Sequence, residues 1–409
     1  MKRILSILLV LSLMLLQAIP VLAENGDDDD LEIEEIVENV DLDDEEKPSL
    51  SDEDLAELEK IGQSLDSFEF EPYNVNTGSL EINPNLPANV INILLIGLDS
   101  RAEDLQDNAD KNSVKHADVQ IILSLNPEDQ VNPIKLTSFL RDTLVEIPTS
   151  NGYMKSKITN SYGYYENRIF HDFPDRTLQT INHNFEMNVQ YYVAINFYGV
   201  VAIIDSMGGI DVDLNEGEAY HINAYIDKNA GKMLNTYDTK ERKAARQKLK
   251  VEAGVQHLDG LQALMYARIR SSLKKKYDSD INGDWGRTAR TRHLLDLLMQ
   301  KALDKSSGIS LLDLFSECLD YVSTNLNPST VWDLMTKVLQ SGITSRLGEE
   351  NATLISQFRI PMDQNRSGKK AWSYETVNGD SVVFMNSKNF QESVEMLHEF
   401  IYGRYYPAK

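Results

Sequence analysis

Cysteine is nearly absent from the chain, since Cys318 is the single one among 409 residues. One cysteine cannot form an internal disulfide, and it excludes a zinc site built on cysteine ligands. Its neighbours, FSECLDYV, have the pattern of an apolar helix face, which predicts a buried thiol. The chain also has no GxxxxGK[ST], HExxH or GxSxG motif, so it does not indicate a P-loop nucleotide site, a zinc peptidase or an α/β-hydrolase.

Positive charge is scarce in the first part of the chain. The net charge is −24, and residues 24–60 hold 19 Asp or Glu against two Lys. A like-charged run of low hydrophobicity cannot bury a core, so residues 24–85 are predicted to form a disordered acidic linker. Because an acidic tether repels phosphate backbones, the composition argues against a nucleic-acid partner.

Long apolar runs are rare, and the clearest one is N-terminal. Lys2 and Arg3 precede an apolar run that ends near Leu22, followed by the small residue that a signal peptidase requires. The run is just long enough to cross about 30 Å of hydrocarbon. Residues 1–23 are therefore predicted to be either a cleaved signal peptide or a retained membrane anchor. Both alternatives place the remainder outside the cytoplasmic membrane.

Three short apolar segments predict the centre of the fold. They are Val90–Leu98, Val119–Leu125 and Ile134–Leu140. Their Ile, Val and Leu content is typical of strands buried on both faces. Eight residues, NPEDQVNP, separate the second segment from the third and favour an antiparallel hairpin. If the first two strands are also antiparallel, Asp99, Asp118 and Arg141 meet at one edge, the usual place for a site in an open α/β sheet.

Two arginines follow a predicted helix in the segment HLDGLQALMYARIR. The helix is expected from Asp259 to about Tyr266, with an extended exit after it. In an extended segment, side chains two apart face the same way. Arg268 and Arg270 are therefore predicted to point together, with Ile269 packed behind them.

A second group of arginines opens a long helix predicted from residue 285 to about 303. Arg287 and Arg290 fall in its first turns, where the helix dipole disfavours cations, so a bound anion is one interpretation. A solvated basic face with Asp284 as an ordinary N-cap explains the spacing equally well. The residues alone leave both interpretations open.

The rest of the chain predicts ordinary α/β elements. Residues 216–251 are polar and are interpreted as an excursion that carries a helix. Asp211 and Asp213 alternate along a short edge strand and are expected to face solvent. The other predicted elements are helices at 177–185, 199–209, 311–322, 330–341 and 390–401, and strands at 190–197, 210–214, 354–360 and 381–385.

The arginines and aspartates suit phosphate chemistry. Guanidinium groups stay charged and present a rigid fork of donors to phosphate oxygens. Paired aspartates alone repel phosphate, but Mg²⁺ between Asp99 and Asp118 reverses the sign. The residues therefore predict a phosphate-binding domain, with a pyrophosphate site as the specific hypothesis.

Seven blocks of sequence resemble the LytR/CpsA/Psr family and occur in family order between residues 89 and 303. They are NILLIGLDSR, HADVQIILSLNP, KLTSFLRDTLVEIP, KITNSYGYY, YYVAINFYGVVAIIDSMGGIDVDL, HLDGLQALMYARIR and GDWGRTAR. The resemblance implies a catalytic domain over residues 86–405, with 89–303 as its motif core and 304–405 completing it. It implies an α/β fold, a three-layer α/β/α sandwich with a mixed central sheet.

The resemblance also implies an activity. Such enzymes are extracytoplasmic phosphotransferases at the outer face of the cytoplasmic membrane. They move a glycopolymer, such as teichoic acid or capsule, from a polyprenyl pyrophosphate carrier onto peptidoglycan through a phosphodiester bond.

Position by position, the resemblance assigns roles to the candidate site residues. Asp99 and Asp118 match aspartates associated with Mg²⁺. Asp284 matches an aspartate near the reaction centre, and Arg141 and Arg268 are expected to act with it in catalysis. The residues expected to hold the pyrophosphate are Arg101, Arg141, Arg268, Arg270, Arg287 and Arg290.

Thr291 departs from the family pattern, in which Gln follows the second Arg of the GRxxR block. A Thr hydroxyl is shorter and offers one donor, so ligation of the distal phosphate is weakened. Two alternative functions stay open, the first because the same Arg and Asp residues would serve it and the second because of Thr291. One is a polyprenyl pyrophosphate phosphatase, in which water replaces the sugar hydroxyl. The other is a non-catalytic wall-associated binding module tethered by the acidic linker.

Overall fold

The computed structural model describes residues 73–98, 116–126, 129, 132, 134–163, 165–166, 169–170, 174–227, 239–271, 273–281, 290, 293–294, 297–298, 301, 322–327, 330 and 355–408. The predicted signal peptide or anchor, most of the predicted linker and Cys318 lie outside these ranges. Within them, no helix combines the length and the apolar character needed to cross a membrane.

Seven described strands precede the first described α-helix, and helices and strands intermix after it. The strands are β1 (Ile91–Leu98), β2 (Ala117–Leu125), β3 (Ile134–Phe139), β4 (Leu144–Thr149), β5 (Gly152–Lys157), β6 (Tyr165–Glu166), β7 (Ile169–Phe170), β8 (Tyr191–Asn196), β9 (Ile210–Leu214), β10 (Gly254–Leu258), β11 (Val322–Thr324), β12 (Ile355–Ile360), β13 (Ser373–Val377) and β14 (Asp380–Phe384). The α-helices are α1 (Pro174–Phe185), α2 (Phe197–Ser206), α3 (Glu216–Tyr225), α4 (Lys240–Ala245), α5 (Gly260–Arg268), α6 (Asp278–Ile281) and α7 (Ser387–Tyr402). Short 3-10 turns occupy Thr77–Ser79, Ile158–Ser161 and Lys275–Tyr277.

Six of the described strands form a central sheet in the order β11-β8-β1-β2-β3-β12. β1 pairs antiparallel with β2, and β2 pairs antiparallel with β3, as predicted. β8 runs parallel to β1, β12 runs parallel to β3, and β11 is antiparallel to β8. The central sheet is therefore mixed, as the family resemblance implied.

Apolar side chains leave the sheet on both faces. Along β1, Ile93 and Leu95 join one core cluster, and Leu94 and Ile96 join the other. Because side chains alternate along a strand, both faces need a cover. Residues of α2, α3 and α5 complete the first cluster, and residues of α1 and α7 complete the second. The fold is therefore the predicted three-layer α/β/α sandwich.

Several elements differ from the sequence prediction. The segment 216–251, predicted as a polar excursion that carries a helix, contains two described helices, α3 and α4, and α3 belongs to the core because Ala219 and Ile222 are fully buried. The strands that were not predicted in this part of the fold are β4, β5, β6, β7, β10 and β13, and each of them belongs to a two-stranded sheet. Val322 begins β11 rather than ending a helix. Asp211 and Asp213 do face solvent, as predicted.

Residues 73–85, which composition assigns to the linker, pack on the domain. The Tyr73 amide donates to the Thr324 carbonyl at 2.8 Å. The Asn83 side chain donates to the carbonyls of Glu186 at 3.1 Å and Tyr406 at 2.7 Å. The dense acidic run ends at residue 60. The segment after it is less charged, and it contains apolar side chains that the domain can bury. The folded part of the chain begins by Tyr73, not at residue 86.

The burial of His398, a residue of α7, makes the free energy of unfolding depend on pH. Its Nε2 lies 3.0 Å from the Phe185 carbonyl, and its Nδ1 accepts from the Tyr406 amide at 3.3 Å. Burial lowers the pKa of His398 below its usual 6.5, despite these hydrogen bonds and the nearby Glu186. As the pH falls through about 6.5, the His398 imidazole therefore takes up a proton in the unfolded chain before it does so in the folded protein. Protonation of His398 then lowers the free energy of unfolding by up to about 1.4 kcal/mol per pH unit.

Urea unfolding between pH 7.5 and 5.5 measures this effect. His398→Gln should flatten the slope of unfolding free energy against pH, because Gln can both donate and accept without titrating. The matched control is His257→Gln, because the His257 side chain is 61% exposed. Equal slopes for the wild type and His398→Gln would contradict the prediction.

Candidate functional site

Four strands of the central sheet, β1, β2, β3 and β8, each have one end on the same side of the sheet. The line of these strand ends is called here the site edge. It is marked by Leu98, Ala117, Phe139 and Asn196. Leu98 at the end of β1 pairs both with Ala117 at the start of β2 and with Asn196 at the end of β8. A register shift lies between Gly97 and Leu98. The register therefore brings the ends of β1 and β8 beside the start of β2.

Asp118 and Arg141 meet at the site edge. Arg141 NH1 lies 3.1 Å from Asp118 Oδ1, and the Thr159 hydroxyl donates to the same oxygen at 3.1 Å. The Arg141 side chain is 36% exposed and that of Asp118 is 17% exposed, so a ligand can reach both. The predicted convergence of these two residues is confirmed, whereas their roles in binding stay predictions.

The turn after β5 holds Arg141 in place. The Arg141 carbonyl accepts from the Thr159 amide at 3.1 Å. Gln120 on β2 donates to the Ile158 carbonyl at 2.8 Å and to the Ser161 hydroxyl at 3.1 Å. This turn is the KITNS segment of the sequence, and its Thr159 restrains both members of the ion pair, Arg141 through the amide and Asp118 through the hydroxyl.

Arg268 is placed at the same edge by α2. The Arg268 guanidinium carbon lies 4.3 Å from the centre of the Phe197 ring, a cation–π geometry. Phe197 is the first residue of α2 and directly follows Asn196, whose side chain caps the helix by accepting from the Gly199 amide at 3.1 Å. The end of β8 therefore positions the ring on which Arg268 rests.

α5 lies very close to α2, and the contact is tight at Gly260, the first residue of α5. A Cβ on Gly260 would lie 2.2 Å from the Val201 carbonyl oxygen, so only glycine fits. The Gly260 amide donates to Asp205 Oδ1 at 2.6 Å. The helix continues to Arg268, two residues beyond the predicted end at Tyr266.

Arg268 and Arg270 are exposed, and Ile269 between them is fully buried. This alternation agrees with the prediction that Ile269 packs behind the two arginines, and their shared direction stays a prediction. One detail of the prediction is wrong: Arg268 is the last helical residue and not part of an extended segment, while Ile269 is extended, with φ −61° and ψ 119°.

Arg290 has a different environment from the other described arginines of the predicted set. It is 4% exposed, and its NH1 lies 3.3 Å from Glu218 Oε1. NH1 also donates to the Ile281 carbonyl at 3.1 Å, and NH2 donates to the Ile269 carbonyl at 2.6 Å. Protein groups therefore engage this guanidinium in the interior. This corrects the expectation that Arg290 itself contacts pyrophosphate.

The first turns of α3 hold the segment after Arg270. Glu216 Oε1 accepts from Lys276 Nζ at 3.0 Å and from the Tyr277 hydroxyl at 2.8 Å. His221 Nε2 accepts from the Leu273 amide at 2.5 Å. Sequence reasoning missed these residues. The available signal was the Asn215-x-x-Glu218 capping pattern, which predicts a helix start at this position.

Five residues of the predicted site and its neighbourhood lie outside the described residues: Asp99, Arg101, Asp284, Arg287 and Thr291. Asp99 directly follows Leu98, the last residue of β1. Among the described residues, no group of three or more His, Cys, Asp or Glu is arranged to hold a metal ion. The Mg²⁺ site at Asp99 and Asp118 stays a prediction.

The polyprenyl carrier that the family resemblance implies needs an apolar slot, and its sequence candidates coincide with the hydrophobic core. Its residues are Val200, Ile203, Ile204, Leu294 and Leu298, all of which are buried in the cluster beside α2. Core packing accounts for their burial.

The sequence model of the LytR_cpsA_psr family matches residues 62–397. The chain belongs to this family. The LytR_cpsA_psr match begins before residue 86, in agreement with the packing of residues 73–85 on the domain.

Two relatives carry descriptive names. The chain is 26% identical over 243 residues to the polyisoprenyl-teichoic acid–peptidoglycan teichoic acid transferase TagV of Bacillus subtilis, covering 59% of this chain and 52% of TagV. It is 28% identical over 263 residues to the transferase TagU of Oceanobacillus iheyensis, covering 64% of each protein. The chain thus spans less than two thirds of either relative.

A solved structure supports the fold. The chain resembles a Streptococcus agalactiae protein of known crystal structure with a TM-score of 0.53 and 20% identity. The match covers 76% of this chain and 88% of that protein. The likeness shows that this LytR_cpsA_psr member shares a known α/β architecture.

Proposed function

We propose that this chain moves a glycopolymer from a polyprenyl diphosphate carrier onto peptidoglycan through a phosphodiester bond. The observation that carries the proposal is the partly exposed Asp118–Arg141 ion pair at the site edge, where Arg268 rests on Phe197. The names of TagV and TagU support teichoic acid as the polymer class. The reaction would occur at the outer face of the cytoplasmic membrane, where the N-terminal prediction places this domain.

The proposed reaction is a phosphoryl transfer. A sugar hydroxyl of peptidoglycan attacks the phosphorus that bears the glycopolymer. The new P–O bond replaces the bond to the bridging oxygen, polyprenyl phosphate leaves, and the hydroxyl proton passes to a base, for which Asp284 is the candidate. Charge builds on the phosphoryl and leaving oxygens, and Arg141, Arg268 and Arg270 supply fixed positive donors there.

Asp118, together with Asp99, is the proposed holder of Mg²⁺. A carboxylate is the hard oxygen ligand that Mg²⁺ prefers, and the exposed part of Asp118 can face a diphosphate. The Thr159 hydroxyl and Arg141 orient this carboxylate, as outer partners commonly orient metal ligands. When bound, Mg²⁺ would neutralise part of the diphosphate charge.

The test uses purified protein, a lipid-linked teichoic acid donor and Mg²⁺, with and without a peptidoglycan acceptor. The proposal expects phosphodiester-linked product and polyprenyl phosphate in equal amounts, and only when the acceptor is present. Release of polyprenyl phosphate and glycopolymer phosphate at an unchanged rate without acceptor would instead indicate a pyrophosphatase, in which water takes the place of the sugar hydroxyl. Donor binding without turnover in either case would indicate the non-catalytic module.

Phe197 provides a milder test of how Arg268 is oriented. Phe197→Leu keeps an apolar side chain but removes the ring, and an exposed cation–π contact contributes about 0.5–1 kcal/mol. The KM for the lipid-linked donor should therefore rise about two- to fivefold with little change in kcat. Phe197→Tyr, which keeps a ring, is the control. The prediction is wrong if Leu and Tyr change KM equally.

A further inference from the structure

Arg290 connects three elements that border the candidate site. Its guanidinium contacts the Glu218 carboxylate on α3, the Ile281 carbonyl at the end of α6, and the Ile269 carbonyl just after α5. Arg290 and Glu218 are 72 residues apart in the chain, and Arg290 is 4% exposed. One buried side chain thus joins three separate segments.

The contact to Ile269 bears directly on the candidate site. Ile269 is the residue between Arg268 and Arg270, and its side chain is fully buried. NH2 of Arg290 donates to its carbonyl at 2.6 Å, the shortest of the three contacts. Fixing this peptide restrains the backbone from which both exposed arginines extend. The contact of Arg141 with Asp118 and that of Arg268 with Phe197 involve side chains, whereas this one involves the main chain.

The buried pair of Arg290 and Glu218 is not explained by a contribution to the stability of the fold alone. Burial raises the pKa of Glu218 and lowers the pKa of Arg290, so desolvation opposes the charged form of each partner more than their attraction supports it. Replacing such buried pairs with apolar residues is often neutral or stabilising. What the pair supplies is a specific geometry: a fork that holds two carbonyls and one carboxylate at once.

We propose that Arg290, oriented by Glu218, is a positioning residue that aligns Arg268 and Arg270 for binding a diphosphate. It acts through the Ile269 carbonyl and does not touch the ligand. The inference rests on the proposed function, because it presumes that these two arginines bind the diphosphate.

The experiment measures binding of geranylgeranyl diphosphate with Mg²⁺ by calorimetry, well below the unfolding temperature. Arg290→Lys keeps the charge but cannot hold three acceptors in one plane, so the dissociation constant should rise on the order of tenfold. Glu218→Gln, which keeps the side-chain size, should weaken binding in the same direction. It provides a second variant if Arg290→Lys folds poorly.

The matched control is Lys135→Met. Lys135 is also a buried cation, 2.7 Å from Asp129 Oδ2 and 3.5 Å from the Ile401 carbonyl. It lies near the start of β3, at the opposite edge of the sheet from Arg141. This variant should change the unfolding temperature and leave diphosphate binding unchanged.

A double-mutant cycle distinguishes positioning from a general structural effect. In an Arg268→Ala/Arg270→Ala background, Arg290→Lys should cause no further loss of binding, because it acts through those two side chains. An undiminished additional loss would overturn the proposal, as would unchanged binding in both Arg290→Lys and Glu218→Gln. If the wild type itself does not bind the diphosphate, the proposed function fails first, and that result is distinguishable from failure at Arg290.

Discussion

Replacing Arg141 with alanine should lower the rate of polymer transfer on the order of 10²-fold or more, with the fold intact. Arg141 ends the β3 segment at the site edge, and its NH1 lies 3.1 Å from Asp118. A guanidinium at this place offers donors to the phosphoryl oxygens as charge develops on them. Alanine removes those donors together with the positive charge beside Asp118.

The measurement is kcat/KM for the lipid-linked donor, with circular dichroism to confirm folding. Arg141→Lys should recover only part of the rate, because a lysine is a point charge without the planar fork. Arg366→Ala is the matched control, since Arg366 is also an exposed arginine bound to a carboxylate, at 2.7 Å from Glu399. If Arg141→Ala and Arg366→Ala give the same rate, Arg141 has no part in the reaction.

The central sheet and one part of the site could be predicted from the sequence. The segments VINILLIGL and VQIILSL are nearly continuous apolar runs. Such runs are typical of strands that are covered on both faces of a sheet. The short polar link after them favours a hairpin. These two local signals were enough to bring Asp118 to Arg141, because register follows once neighbouring strands are antiparallel.

The environment of Arg290 could not be predicted in this way. Helical spacing placed it on a basic stripe with Arg287, and spacing does not show whether a charged side chain is exposed or buried. That depends on Glu218, which lies in a segment whose polar composition suggested an excursion. The contact between Arg290 and Glu218 therefore corrects two local interpretations, the exposed basic stripe and the polar excursion.

Residues 73–85 show a second limit of composition. The acidic run before them dominates the average charge of the segment. The predicted linker therefore reaches as far as the first strand. Burial of Val75 and Leu80 is decided by what lies opposite them on the folded domain. Charge averaged over a window does not contain that information.

Asp118→Asn should have opposite effects on diphosphate binding with and without a divalent metal. Asparagine has nearly the same shape, and its carbonyl oxygen can still accept from the Thr159 hydroxyl and from Arg141. The change therefore removes a negative charge from the site and little else. With EDTA present, geranylgeranyl diphosphate should bind more tightly than to the wild type, because a repulsive carboxylate is gone.

With Mg²⁺ present, the same variant should bind the diphosphate more weakly, and the transfer rate should fall on the order of 10²-fold or more. The reason is that Asp118 would no longer attract the cation that offsets the diphosphate charge. Asp211→Asn is the control, because Asp211 is an exposed aspartate on β9 that pairs with His257 at 2.7 Å. Its binding curves should match the wild type in both conditions. If Asp118→Asn shifts binding in the same direction with EDTA and with Mg²⁺, Asp118 acts on the diphosphate without a metal, and the assignment of Asp118 to a Mg²⁺ site is wrong.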